Sequence, residues 1–439
     1  MSIEQPSLFD VSPFKQAANG HAKDERSGTF VDNMKLPVHR WFRYSAGFSA
    51  EWVQQVLNDY HQDQAEFTVL DPFAGSGTTL LACDAAQVPS YGFEAHPLVY
   101  RVAKAKSAAL SLDTGALKEY LEEFITDALN CHVIVDDNIP PLLLKCFEPE
   151  ALEKLLGFKE TFLTKYDAGD AKSELLWLLL TSILRPSSVA GTAQWQYILP
   201  NKSKSRVIDP IDAYKIKASE ILDDLLYVQH QQWRPLSTIL PTDARTPTLP
   251  HDVEIDLVIT SPPYPNNYDY ADATRLEMTY WGDVSGWSDL QEQVRQYLIR
   301  SCSQHSAAER LELDALLADE ILAPIHKELS AACHQLAQVR LTKGGRKTYH
   351  TMAAAYFSDL GYVFRALRKL CRDGSTLCFV IGDSAPYGVY LHVDQWLGEL
   401  ACAAGFKKFW FEQTRERNTK WKNRKHRVPL KEGRLWIEG

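Results

Sequence analysis

Short apolar runs recur along the chain, bounded by glycine, proline or acidic residues, and this pattern predicts buried β-strands. Longer stretches between them carry apolar residues at every third or fourth position, which is the spacing of amphipathic helices. Strands that alternate with helices predict an α/β fold with a mainly parallel, seven-stranded sheet and helices on both of its faces. The predicted strands are residues 68–70, 90–93, 237–240, 256–260, 375–381, 407–411 and 435–437.

Two long helical stretches interrupt the strand pattern. The first holds more helix than one crossover between parallel strands requires, so we interpret it as an insertion. The second is helical and polar. The predicted organisation is an α/β domain of residues 31–110 and 237–439, a helical insertion of residues 111–236 and a second helical insertion of residues 283–345. Residues 1–30, rich in polar and small residues, are predicted to be a disordered tail.

Composition narrows the class of protein. The 439 residues are 45% hydrophobic and 23% charged, as in an ordinary globular protein, and the longest apolar run is too short to span a bilayer. The net charge of −9 argues against wholesale coating of nucleic acid and leaves room for local basic patches. The eight cysteines include no Cys-x-x-Cys pair, so we expect reduced cytosolic thiols and neither a zinc site nor a disulfide framework.

The sequence Asp-Pro-Phe-Ala-Gly-Ser-Gly-Thr-Thr at residues 71–79 lies between a predicted strand and a predicted helix. Glycines let the backbone approach a ligand closely, and a helix start offers unpaired N–H groups. No lysine follows Gly77, which argues against a phosphate-binding P-loop, and Leu80 replaces the third glycine of a dinucleotide site. Glu94, 17 residues after Gly77, can hold ribose hydroxyls. Together these features predict a site for S-adenosylmethionine.

A second motif, Ser261-Pro262-Pro263-Tyr264, directly follows the predicted strand 256–260. Ligands of such sheets bind outside the carboxyl ends of the strands, so both motifs are expected to face one crevice. The prolines stiffen the loop and leave carbonyl groups free to accept hydrogen bonds, and the tyrosine offers a flat face for stacking. Such a loop suits an exocyclic amino group of a base during methyl transfer; the alternative is a plain proline turn with a core tyrosine.

In combination the two motifs resemble the amino-group DNA methyltransferases, which form N4-methylcytosine or N6-methyladenine. Residues 266–270, 275–277 and 382–384 support the resemblance, which covers about half of the chain. It implies a Rossmann-like methyltransferase fold, with Glu94 on the ribose and Asp243 on the adenine amino group of S-adenosylmethionine. The further implied cofactor contacts are Asp71, Pro72, Phe73, Ala74, Gly75, Gly77, Thr78 and Thr79, with Arg40 and Phe42 from the aromatic and basic stretch 38–44.

The resemblance also implies a mechanism. The target base is flipped out of double-stranded DNA and stacks on Tyr264, while the Ser261 hydroxyl and the Pro262 carbonyl accept hydrogen bonds from its amino group. Neither a covalent enzyme intermediate nor a metal is needed. Serine at the first motif position favours N4 of cytosine, and N6 of adenine is the alternative. The chain has no Pro-Cys pair, which excludes the usual C5-cytosine mechanism.

Local basic segments predict the DNA-binding surface. Between Lys407 and Lys431 there are ten Lys or Arg residues against two Glu, although a solvated basic face is the usual alternative for such a run. Asn266 and Asn267, in the loop after the second motif, are further candidates, with a self-bonded turn as their alternative. The predicted phosphate contacts are Lys420, Lys422, Arg424, Lys425 and Arg427, and Lys202, Lys204 and Arg206 in the helical insertion, our candidate for target recognition.

Partners and rival functions follow from the remaining features. The five residues from Gln5 to Phe9 resemble the motif with which bacterial proteins bind the replication sliding clamp. We expect a restriction-modification or other defence context, with a cognate endonuclease as a possible partner. The alternatives are an RNA base methyltransferase and, from another class, a catalytically silent DNA-binding or clamp-binding adapter on the same fold.

Overall fold

The computed structural model describes residues 30–45, 47–63, 66–135, 138–193, 196–266, 268–304, 311–345, 347–417 and 429–439. Seven strands form one sheet, and a separate hairpin consists of β3 and β4. The strands are β1 (Val69–Asp71), β2 (Ser90–Phe93), β3 (Ala190–Thr192), β4 (Ile198–Ser203), β5 (Ser237–Leu240), β6 (Ile255–Thr260), β7 (Cys371–Gly382), β8 (Lys408–Arg417) and β9 (Leu430–Glu438).

Helices fill the connections between these strands. The α-helices are α1 (Ala50–Asp63), α2 (Thr78–Ala86), α3 (Pro97–Ala109), α4 (Thr114–Leu129), α5 (Pro141–Cys146), α6 (Pro149–Thr161), α7 (Ala171–Ser187), α8 (Pro210–His230), α9 (Tyr270–Ala273), α10 (Arg275–Trp281), α11 (Leu290–Gln293), α12 (Leu313–Leu317), α13 (His326–Thr342), α14 (Tyr349–Leu370) and α15 (Val393–Ala403). Within the described ranges, none of them combines the length and the apolar character that crossing a membrane requires.

The sheet has the strand order β5-β2-β1-β6-β7-β9-β8. All pairings are parallel except those of β9, which runs antiparallel to β7 and β8. This confirms the predicted mainly parallel, seven-stranded sheet and its Rossmann-like methyltransferase fold, and each predicted strand is present. The chain moves outward from β1 in both directions, so the order reverses between β1 and β6. Such a reversal opens a crevice at the carboxyl ends of the two strands.

Both faces of the sheet are covered, as the alternation of side chains along β7 shows. Leu377, Phe379 and Ile381 join the hydrophobic cluster that contains α14 and α15 residues. Cys378 and Val380 point to the opposite face and join the cluster formed with α1 and α2. Successive side chains of a strand alternate between faces, so one apolar run can supply two cores.

The helical insertion is built onto the α/β domain rather than apart from it. Helices α4 to α8 lie between β2 and β5, and their apolar residues form one continuous cluster with those of α3, α10 and the residues around Trp41. The hairpin of β3 and β4 also lies here, where only helices were predicted, because its second strand, Ile-Leu-Pro-Asn-Lys-Ser, lacks an apolar pattern. The second insertion likewise shares the cluster of α14 and α15.

One buried carboxylate fastens the chain before α1 to the helical insertion. Asp224, on α8, accepts hydrogen bonds from the backbone N–H of Val38 at 3.0 Å and from Nε1 of Trp41 at 2.8 Å. Its two oxygens also accept from Nε and Nη2 of Arg40, at 3.1 and 2.5 Å. Val38 has a φ of 65°, which is unfavourable for a β-branched residue. The hydrogen bond from its backbone N–H to Asp224 holds it in this conformation.

We expect Asp224→Ala to lower the free energy of unfolding by about 2–3 kcal/mol, because it leaves several buried or half-buried donors without an acceptor. Urea denaturation followed by circular dichroism measures this loss. Asp223→Ala is the matched control, since Asp223 is the exposed neighbour on the same helix, and it should change stability by less than about 0.5 kcal/mol. Equal losses in the two variants would contradict the role of Asp224.

Candidate active site

A cleft opens at the carboxyl edge of the sheet, at the reversal between β1 and β6. About 760 Å³ of non-atom space lies within it, a volume that includes the open solvent at its mouth. Both predicted motifs contribute to it, as expected from the parallel strands. Its lining is Tyr44, Gly47, Phe48, Pro72, Phe73, Ala74, Gly75, Ser76, Thr78, Phe93, Glu94, Ala95, His96, Thr242, Asp243, Ala244, Ser261, Pro263, Tyr270, Tyr297, Leu298 and Ile299.

The Asp71 carboxylate lies behind the cleft and joins the two motifs. It is fully buried and accepts hydrogen bonds from Thr79 Oγ1 at 2.7 Å, from Thr260 Oγ1 at 2.6 Å and from the backbone N–H of Phe73 at 3.0 Å. Burial raises its pKa to about 6. Asp71 therefore does not line the cleft: it fixes the glycine turn against the end of β6, directly before Ser261.

The two glycines of the turn have different tasks. Gly75 has a φ of +53°, and a Cβ there would lie 3.1 Å from the ring of Tyr44, so the turn and this ring form one wall of the cleft. Gly77 has a φ of +87° and caps the start of α2, and a Cβ there would meet Ala103 of α3 at 3.4 Å. Gly77 and the buried Thr79 thus serve packing, whereas Gly75 faces the ligand space.

Glu94 lines the cleft at the end of β2. Its Oε2 accepts from the backbone N–H of Gly75 at 2.8 Å, and its Oε1 accepts from the backbone N–H of His96 at 2.7 Å. Burial nevertheless raises its pKa to about 7. A carboxylate held on both oxygens, with lone pairs left over, is a fixed acceptor for ligand hydroxyl groups.

Tyr44 and His96 line the cleft but were not predicted as site residues. His96 is 1% exposed, and burial lowers its pKa to about 4, so the ring is neutral at pH 7. Its Nε2 lies 2.8 Å from Oγ1 of Thr274, while its Nδ1 has no hydrogen-bond partner among the described residues. The one available signal for His96 was its place two residues after Glu94, at the end of a predicted strand.

Asp243 lies at the cleft as predicted, and it is held by a network of ion pairs. Arg245 donates to both of its oxygens, with Nη2 at 2.6 Å from Oδ2. The same arginine reaches Asp359 of α14 at 3.0 Å, and Arg300 reaches Asp359 at 2.6 Å. Asp359 is 2% exposed at its side chain. The position of Asp243 is therefore set jointly by the second insertion and α14.

The second motif begins as expected and ends differently. Ser261 and Pro263 line the cleft, and Pro262 is buried. The Ser261 hydroxyl donates to the carbonyl of Val380 at 3.2 Å, so its lone pairs are the part left for a ligand. Tyr264 is not part of the cleft lining. Its ring lies beside Gly382, where a Cβ would approach to 3.0 Å from Cε2 of Tyr264.

Three residues have structural contacts where ligand contacts were expected. Arg40 is paired with Asp224, and Phe42 is buried in the cluster of the helical insertion, so neither lines the cleft. Of the stretch 38–44, the residue that lines the cleft is Tyr44. Lys204 donates its ammonium to the carbonyls of Arg185 and Pro186 at 2.5 and 3.1 Å, capping the end of α7. Caps of this kind are a normal use of lysine.

The remaining DNA-contact candidates divide into described and undescribed residues. Lys202, in strand β4, and Arg206, after that strand, are exposed. Asn266 has a φ of 60°, and its backbone N–H donates to the Ser301 carbonyl at 2.7 Å. These three stay predictions. Outside the described residues lie Asn267, Lys420, Lys422, Arg424, Lys425, Arg427 and the stretch from Gln5 to Phe9.

Comparisons with known proteins agree with the geometry. The model of the N6/N4 methyltransferase family, described as DNA methylase, matches residues 9–105. The Type II methyltransferase M.BsoBI of Geobacillus stearothermophilus is 26% identical over 417 residues, covering 86% of this chain and 80% of that protein. The Type II methyltransferases M.AvaI of Nostoc sp. and of Anabaena variabilis are each 27% identical over 412 residues, covering 86% and 81%. No solved structure matches the chain significantly.

The crowding at Gly75 can be measured directly. Gly75→Ala and Gly344→Ala both place a side chain at a positive φ, which costs about 1 kcal/mol of unfolding free energy. Only at Gly75 does the new methyl group also meet a ring, since a Cβ at Gly344 has nothing within 4 Å. We expect Gly75→Ala to lose more stability than Gly344→Ala, because the Tyr44 ring must shift, and only Gly75→Ala to weaken binding of S-adenosylmethionine in calorimetry. Equal affinities would contradict the assignment of this wall to the ligand.

Proposed function

We propose that this chain, which is similar to the amino-group DNA methyltransferases, transfers a methyl group from S-adenosylmethionine to the exocyclic amino group of a flipped base in double-stranded DNA. One observation carries this proposal: the Asp71 carboxylate bonds Thr79 of the glycine turn and Thr260 directly before Ser261. The turn that suits a cofactor and the loop that suits a base are thereby locked side by side at one cleft.

The chemistry of the cleft lining supports S-adenosylmethionine as the cofactor. When bound, S-adenosylmethionine supplies a methyl group on a positively charged sulfonium, which an amino nitrogen can attack directly. Glu94 would accept hydrogen bonds from the ribose hydroxyls, and Asp243 would accept from the adenine amino group. Gly75 leaves room for close approach along the turn, and Phe73 and Tyr44 supply apolar and aromatic walls. The carboxylates and the aromatic rings also complement a cation.

The second motif would hold the base. Ser261 Oγ, whose proton is engaged by Val380, is left as an acceptor for one amino hydrogen, and the Pro262 carbonyl would accept the other. These bonds would turn the nitrogen lone pair, otherwise shared with the ring, toward the methyl group. The carbon–sulfur bond would break as the nitrogen–carbon bond formed, and the proton lost from the nitrogen would leave to water. The rate would come mainly from positioning. Tyr264 would stack on the flipped base.

We favour N4 of cytosine over N6 of adenine as the target atom. The support is Ser261 at the first position of the second motif, which in this family more often accompanies cytosine. The naming of the relatives as Type II methyltransferases supports a restriction-modification context with a cognate endonuclease. Clamp binding through Gln5 to Phe9 stays a separate prediction.

Methylation of DNA is the direct test. DNA from cells that express the chain is sequenced with a method that detects modified bases, and its nucleosides are measured by mass spectrometry. We expect N4-methylcytosine at one recognition sequence. Ser261→Ala should lower methylation by about 100-fold through loss of an acceptor. Tyr264→Ala should lower it by roughly 5- to 150-fold through loss of a stacking face, and cofactor affinity should be unchanged in both variants.

Each outcome of that test has a distinct reading. Detection of N6-methyladenine would identify adenine as the target base and would leave the proposed amino-group methyl transfer intact. Full activity in both variants would sink the assignment of the second motif. An absence of methylation together with an absence of cofactor binding in calorimetry would favour the silent adapter.

Cofactor affinity should depend on pH through Glu94. Ribose hydroxyls donate to the ionised carboxylate, so binding lowers the pKa from about 7 and releases a proton. Affinity is therefore full above pH 7 and lost as the pH falls, with a dissociation constant about tenfold larger at pH 6 than at pH 8. Glu94→Gln should bind more weakly at pH 8 and show no such slope in calorimetry. If the affinity of the variant depended on pH as strongly as that of the unsubstituted chain, the proton released on binding would come from a group other than Glu94.

A further inference from the structure

An arginine covers the aromatic ring that would receive the base. The guanidinium carbon of Arg417 lies over the ring of Tyr264, 5.1 Å from its centroid. Arg417 is the last residue of β8 and is distant from the second motif in sequence. One face of Tyr264 is therefore occupied by a flat, charged group of the protein itself.

Specific contacts hold Arg417 over the ring. Its Nη1 donates to the backbone carbonyl of Asp383 at 3.1 Å, and its Nε lies 3.5 Å from Oε2 of Glu432. Gly382 makes the arrangement possible, since a Cβ there would run into both the guanidinium and the tyrosine ring. The geometry thus depends on three separate elements: β7, β9 and the loop after β6.

From this geometry, and resting on the methyltransferase function proposed above, we propose that Arg417 is a specificity-determining gate. Its guanidinium occupies the stacking face of Tyr264 until a flipped base displaces it. A guanidinium and a nucleobase are both flat, and both stack on aromatic rings, so they compete for one face. A base then enters only if its own contacts exceed those that Arg417 gives up.

Displacement of Arg417 leaves no buried charge uncompensated. Glu432, 3% exposed at its side chain, keeps its ion pair with Arg415 at 2.6 Å. In sequence, Arg417 directly precedes residues 418–428, which include five Lys or Arg residues. We therefore expect the released guanidinium to bind a DNA phosphate. Phosphate contact and entry of the base would in this way be linked through one side chain.

The test uses the full chain and a duplex whose target base, identified from the methylation map, is replaced by 2-aminopurine. Emission of 2-aminopurine rises when it leaves the stack. We expect Arg417→Ala to raise the equilibrium constant for flipping by about 3- to 30-fold, the range of a lost cation–π contact. Its methylation of sites with one mismatched base should rise relative to the cognate site, with the thermal unfolding midpoint unchanged.

Arg415→Ala is the comparison variant on the same strand. It leaves the buried Glu432 with Arg417 as its remaining printed ion-pair partner, so displacement of Arg417 becomes more costly and emission should not rise. Arg417→Lys, which keeps the charge and loses the flat plane, should give an intermediate gain. Unchanged or lower emission with Arg417→Ala, or equal shifts in the two alanine variants, would overturn the gate. Failure of the unsubstituted chain to methylate any DNA would instead remove the proposed function, and the gate with it.

Discussion

The buried carboxylate of Asp71 is the interaction on which the site depends. It stands where two neighbouring parallel strands end, and it receives one hydroxyl from each side, Thr79 and Thr260. Burial raises its pKa to about 6, so its ionised form is costly and relies on those donors. These hydrogen bonds fix the two halves of the cleft to each other through protein contacts alone. Preorganised sites of this kind avoid an entropic cost during the reaction.

The sequence carried the information for the sheet because buried strands leave a local record. Runs such as the one in β7 are apolar on both faces and bounded by turn residues, so they can be recognised without knowing their neighbours. The hairpin of β3 and β4 left no such record, since Asn201 and Lys202 break the apolar pattern of its second strand. Its existence depends on packing against the insertion, which local spacing does not encode.

The candidate site was predictable where a local motif determines the backbone conformation. It was less predictable where a charged residue distant in sequence determines which way a side chain points. Glu94, Asp243 and Ser261 line the cleft as their places after predicted strands suggested. Arg40 does not, because Asp224, 184 residues away, holds its guanidinium. Only the fold brings that pair together, and no property of the stretch 38–44 alone distinguishes an arginine bound to a helix from one bound to a ligand.

The attachment of residues 38–45 to the helical insertion limits how modular this protein is. Asp224 holds Val38, and Gln196 from the hairpin accepts from the N–H of Ser45 at 2.9 Å, on either side of the cleft residue Tyr44. A candidate recognition element and a wall of the catalytic cleft thus share one strip of chain. Exchanging insertions between relatives, by evolution or in a chimera, would succeed only if this strip travelled with them.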